Sequence, residues 1–141
     1  MTIAVNARFL LADYLEGYGN FMHETLKFIV GKHPEHRFIF IFDRAFDTRF
    51  VFAENIIPVV ANPPARHPLL WKFWYQYKIP SILKKFKADV FLSADGFCSL
   101  KTQVPHCIVV HDLAFLHYPD FHKNSHLAFF RKYLPRFLNK A

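Results

Sequence analysis

The chain has 141 residues, of which 52% are hydrophobic, 18% aromatic and 21% charged. That length fits one domain with an apolar core of its own, and no apolar run approaches the roughly 20 residues that span a bilayer. A net charge of +7 points to anionic partners (nucleic acid, a membrane surface or a phosphorylated small molecule) without choosing among them.

The opening Met1-Thr2-Ile3-Ala4-Val5-Asn6 lacks a basic region followed by an apolar stretch, which leads to the expectation of a cytoplasmic protein. Ile3-Ala4-Val5 begins the first strand. Met22, Leu26, Ile29 and Val30 then recur at helical spacing, with Asn20 placed to cap the helix start and Gly31 its end. Phe38-Ile39-Phe40-Ile41-Phe42 is a continuous apolar run, as a strand covered on both faces requires. Ile56-Ile57-Pro58-Val59-Val60 reads as an edge strand because proline cannot donate to a ladder.

Asn62-Pro63-Pro64-Ala65-Arg66 is a loop by its chemistry. Leu69, Leu70, Phe73, Trp74 and Tyr77 mark a helix interrupted at Pro80 and continued by Ile82, Leu83 and Phe86. Val90-Phe91-Leu92 and Ile108-Val109-Val110 are two further buried strands. Leu127, Phe130, Leu134 and Phe137 predict a last helix kinked at Pro135. Cys98 and Cys107 form neither a disulfide framework nor a ligand spacing and read as two buried thiols. Apolar runs alternating with helical segments predict one α/β domain, doubly wound on a mainly parallel, Rossmann-like sheet.

In such a sheet, ligands bind beyond the carboxyl ends of the strands. That places Asn6, Arg8, Asp43, Ser93, Asp95, Gly96, His111 and Asp112 near one edge. Glu16-Gly17-Tyr18-Gly19-Asn20 precedes the first helix, where glycines and a helix N-terminus suit an anion. It is not a dinucleotide fingerprint, because the third glycine would fall at Met22. His111, after a buried strand, is placed to donate a hydrogen bond into the crevice, with Asp112 able to fix its tautomer.

The whole chain resembles the N-terminal domain of family 4 glycosyltransferases, retaining enzymes of the GT-B fold. The likeness rests on Ile3-Ala4-Val5-Asn6, on Gly17-Tyr18-Gly19 with its helix, on Asp89-Val90-Phe91-Leu92-Ser93, and on Val110-His111-Asp112-Leu113 followed by Tyr118-Pro119. Tyr18 separates glycines that are adjacent in many members. The resemblance implies that residues 1–141 form the N-terminal, acceptor-side half of a two-domain hexosyltransferase-like enzyme acting in polysaccharide biosynthesis. Its nucleotide-sugar donor would be held mainly by a C-terminal domain that these residues lack, and the acceptor would be a glycan or lipid-linked molecule. By the same analogy His111 contacts the transferred sugar, Asp112 supports it, and Gly17 and Gly19 sit near the donor diphosphate. Asn6, Arg8, Arg66, Asp95 and Phe97 are the candidate acceptor-side residues. No metal or cofactor beyond the donor substrate is expected, and the chain alone is expected to have little activity.

Two other readings, and one further use of the basic charge within the favoured reading, stand beside this one. A metal-dependent hydrolase would use the crowd of His106, His111, Asp112, His117, His122 and His126, with His122 and His126 one helical turn apart if the last helix starts early. A binding module without catalysis would take carbohydrate, or would take nucleic acid through Lys72, Lys78, Lys84, Lys85 and Lys87 among Trp71, Trp74, Tyr75 and Phe86; nucleic acid is not the expected partner. Arg131, Lys132, Arg136 and Lys140 flank the last helix's apolar stripe and suit peripheral contact with anionic lipid at the inner membrane face.

Overall fold

A computed structural model describes residues 1–11 and 13–141. Five strands, β1 (Thr2–Asn6), β2 (Arg37–Phe42), β3 (Ile56–Val60), β4 (Val90–Ser93) and β5 (His106–Ile108), form one sheet in the order β3-β2-β1-β4-β5. Every pairing is parallel. The strand order reverses between β1 and β4, which opens a crevice beyond their carboxyl ends.

The apolar run of β2 explains why the sheet is covered on both sides. Its side chains alternate between faces. Phe38, Phe40 and Phe42 join Val5 against Met22, Leu26 and Val30 of helix α1 (Gly17–Lys32). Ile39 and Ile41 join Ala4 and Phe91 against Trp74, Tyr75, Ile79 and Leu83 on the other face. Phe38 to Ile41 are fully buried, and each such side chain contributes about 1.5–3 kcal/mol relative to exposure. β3 is the predicted edge, with Pro58 opposite Phe40.

The boundaries differ from expectation at several points. Glu16, not Asn20, is the cap residue of α1, and its side chain makes no cap bond; Asn20 lies in the first turn and donates to the Leu15 carbonyl at 3.0 Å. Gly31 lies within the last turn, which extends to Lys32. β5 begins two residues before its predicted start; Val109 still donates to the Ser93 carbonyl, and the chain leaves the ladder at Val110. Only Cys98 is buried, and burial pushes its thiol up to about 12; Cys107 is exposed.

The proline in the third connection does not break the helix. Helix α2 (Pro68–Phe73) passes through a π-helical turn over Trp74–Lys78 into helix α3 (Ile79–Phe86), with Pro80 in the first turn of α3. Proline lacks the N–H and its ring crowds the carbonyl four residues back; a wider turn before it relieves both problems. The π turn buries three consecutive side chains, Trp74, Tyr75 and Gln76. Leu69, Phe73 and Tyr77, which marked the helix in the sequence, are exposed.

After the short helix α4 (Ala114–His117), the last helix, α5 (Asn124–Leu138), carries Pro135 on its exposed side and closes the second face of the sheet through Phe129 and Phe137. Among the described residues no helix is long and apolar enough to cross a membrane.

His106 carries a pH-dependent part of the stability. It is buried on β5 against Phe91, its Nε2 lies 3.2 Å from the Ser99 N–H and 3.1 Å from the Ser99 carbonyl, and its Nδ1 is buried without a partner. Burial lowers its pKa, against smaller opposing effects from nearby backbone groups. A depressed base is neutral when folded, so its stabilisation is complete above the unfolded value of about 6.5 and is lost as pH falls below it. The melting temperature should therefore drop between about pH 7 and pH 5, and His106→Gln should flatten that slope. His23 and His126 are shifted the same way, so a residual slope remains; a slope identical to wild type would contradict the assignment.

Candidate functional site

β1 and β4 run side by side and deliver Asn6, Arg8, Ser93 and Asp95 to the crevice. Their polar groups converge on one carboxylate. Asp95 Oδ2 accepts from Arg8 Nε at 2.8 Å, Asn6 Nδ2 at 2.9 Å and the Tyr75 hydroxyl at 2.5 Å. Its Oδ1 accepts from Ser93 Oγ at 2.8 Å and the Phe97 N–H at 3.2 Å. Five donors saturate a carboxylate, so Asp95, whose side chain is 2% exposed, is an organiser of the site with no lone pair left for an acceptor. Asn6 is fully buried and lines neither of the two crevice pockets; its amide also lies 2.8 Å from the Tyr75 oxygen and 3.0 Å from Ser93 Oγ. Asn6 therefore acts behind the surface that the sequence assigned to it, while Asp95 reaches the pocket wall with its acceptors engaged.

Burial, then the Asp95 carboxylate, pushes the Tyr75 phenol well above its ordinary pKa, so it remains a donor. Burial opposes the charge on Arg8, but its surroundings, Tyr75, Asp95 and Asp43, outweigh that effect and leave its pKa raised. The guanidinium is boxed by Phe9, Trp71, Tyr75 and Phe97 at 4.6–5.9 Å from the ring centres, an arrangement that favours a desolvated cation.

Beyond this network lies a pocket of about 280 Å³, walled by Arg8, Tyr18, Trp71, His111, Asp112 and Phe115. Gly96, at φ +75°, turns the chain after β4 in a conformation that side chains disfavour. That turn places Phe97 in the pocket floor, though the ring belongs chiefly to the core, against Trp71, Tyr75, Phe129 and Phe137.

His111 sits at the mouth. Its ring packs on Tyr18 at 4.4 Å and meets the edge of Phe21 at 5.0 Å, so α1 fixes its orientation. Nε2 lies 2.8 Å from the Ala94 carbonyl. A carbonyl only accepts, so Nε2 carries the proton and the neutral ring presents Nδ1 as an acceptor. The expected donor role into the crevice is thus reversed for the neutral form. Asp112 does not set the tautomer; its Oδ1 accepts from the Ala114 N–H at 2.9 Å. Burial, then Asp112, raises the Tyr18 phenol pKa.

Gly17 and Gly19 are not among the residues that line this pocket. A Cβ on Gly19 would stand 2.6 Å from the Phe9 carbonyl oxygen, whereas one on Gly17 would meet nothing. Gly19 therefore lets α1 approach the loop after β1. Tyr18, between them, is a pocket residue absent from the candidate site residues, and Trp71 and Tyr75 entered the sequence reading only as aromatics of a nucleic-acid module.

A second pocket of about 260 Å³ adjoins the first across Arg8, Phe9 and Trp71 and receives Arg66, Arg44 and Asp43. The structure thus groups Arg8, Asp95, Phe97, His111 and Asp112 at one pocket and Arg66 with Arg8 at the other.

Trp74 and Tyr75 are fully buried, which withdraws them from base stacking. His122 precedes α5, so it does not share a helical face with His126. Among the described residues three metal-capable groups converge only at His33, Glu35 and His36, between α1 and β2 at the opposite end of the sheet from the crevice. No protein-family model, curated protein or solved structure matches this chain.

Gly19→Ala separates a packing glycine from a ligand-facing one. The clash is with backbone, so the variant should lose about 1–3 kcal/mol of stability in chemical denaturation. Wild-type stability in Gly19→Ala would return the residue to the ligand.

Proposed function

We propose that this domain is the acceptor-side half of a glycosyltransferase that moves a sugar from a nucleotide-sugar donor to a glycan or lipid-linked acceptor with retention, its donor held by a second domain. The observation that carries the reading is His111, oriented by the Ala94 carbonyl and Tyr18 at the mouth of an aromatic-walled pocket. Aromatic faces suit the C–H face of a pyranose ring, and a few fixed polar groups select its hydroxyls.

In this reading the neutral His111 accepts a hydrogen bond from a hydroxyl of the transferred sugar and holds its anomeric carbon against the acceptor. Asp112 secures the turn that carries His111, through Ala114. The departing diphosphate gains charge as the sugar becomes oxocarbenium-like, and preorganised donors aimed at it supply much of the rate. The uncapped N-terminus of α1 beside Tyr18 adds favourable partial charge. Closure of a second domain over the pocket excludes the water that would hydrolyse the donor.

The test is donor turnover across a panel of nucleotide sugars by the protein carrying the proposed second domain, compared with its His111→Ala variant. A positioning contact of this kind is worth about a hundredfold in rate. Unchanged turnover in the variant, or no turnover of any donor by the wild type, contradicts the proposal.

A further inference from the structure

The second pocket has a chemistry distinct from the first. Three arginines line it, and their donors are spent unequally. Arg8 uses Nε on Asp95 and Nη1 on the Ala65 carbonyl at 2.8 Å. Arg44 uses Nε and Nη2 on Asp43, at 2.6 and 2.9 Å. Among the described residues, Arg8 Nη2, Arg44 Nη1 and the whole Arg66 guanidinium have no protein acceptor.

Two buried carboxylates, Asp43 and Asp95, lie beneath this layer and engage Arg44 and Arg8. Asp43, 1% exposed, also accepts the Ala65 N–H at 2.7 Å, and Asp95 is saturated by its five donors. The Ala65 carbonyl takes Trp71 Nε1 at 2.6 Å as well as Arg8. Ala65 is therefore clamped from both sides, which fixes the backbone from which Arg66 projects. Donors on a rigid frame, with acceptors turned inward, recognise a compact anion. Glu16 at the rim is the one lining carboxylate with no bond to a described residue, and it opposes such a ligand.

We propose that the Arg8–Arg44–Arg66 pocket binds the anionic group, phosphate or carboxylate, of a molecule whose polar body occupies the adjoining pocket. It rests on the transferase reading only in making that molecule the acceptor; the anion site stands on its own geometry.

The probes are inorganic phosphate and acetate, titrated calorimetrically into the full chain at low ionic strength, where screening is weak. Saturable phosphate binding that weakens about tenfold in Arg66→Gln and tightens in Glu16→Gln supports a phosphorylated ligand. The same pattern with acetate alone supports a carboxylate. Arg66 is exposed on a loop, so its loss should spare the fold, which unchanged thermal unfolding would verify. Binding of neither anion, or binding indifferent to both substitutions, overturns the proposal. No nucleotide sugar is present in this experiment, so its failure leaves the His111 reading standing, and failure at His111 leaves the anion site standing.

Discussion

The buried pair of Arg8 and Asp95 is the constraint around which the crevice is built. Removing two charges from water costs several kcal/mol each, and attraction between them offsets that only with good geometry and further hydrogen bonds. Here the guanidinium meets the carboxylate through Nε at 2.8 Å, while Asn6, Tyr75, Ser93 and the Phe97 N–H satisfy the rest of the carboxylate. Those donors come from β1, from the π turn and from the loop after β4. One ion pair therefore fixes three separate stretches of chain relative to one another, and the floor and one wall of the pocket follow from it.

Pro80 contributes at a distance. The π turn that accommodates it carries Trp74, Tyr75 and Gln76. The wide turn brings Trp74 Nε1 to the Ala61 carbonyl, the Tyr75 hydroxyl to Asp95, and Gln76 to both Leu100 N–H and the Cys98 carbonyl. A feature that reads as an interruption in the sequence thus pins the loop after β3 and the loop after β4 together. The layered arrangement also separates two chemistries: aromatic walls with His111 on one side of Arg8, and outward-facing guanidinium edges on the other.

The sheet was largely legible because its signal is local. The runs at Ile3-Ala4-Val5, Phe38–Phe42 and Val90-Phe91-Leu92 are short, continuous and apolar, and Pro58 marked its strand as an edge. The helix between residues 68 and 86 was legible from its apolar spacing, but Pro80 reads as an interruption because the π turn that accommodates it leaves no apolar pattern of its own. The strand-end rule found Asn6, Arg8, Asp95 and His111, but it could not tell a residue that faces a ligand from one that faces its neighbours. That distinction depends on partners far along the chain, such as Tyr75 for Asn6 and Ala65 for Arg8. Tyr18 did carry a signal: an aromatic residue between two glycines at a helix start. The Ala94 carbonyl that orients His111 carried none, because any residue supplies one.

The account depends most on Arg8 and Asp95 acting as one unit, and a double-mutant cycle with Arg8→Met and Asp95→Asn, followed by chemical denaturation, measures that directly. Each single change should destabilise the domain, and the pair should be less destabilising than the sum, with a coupling of about 2–3 kcal/mol. Additivity within about 0.5 kcal/mol would mean that the two groups act independently, and the organisation of the crevice would then need another origin.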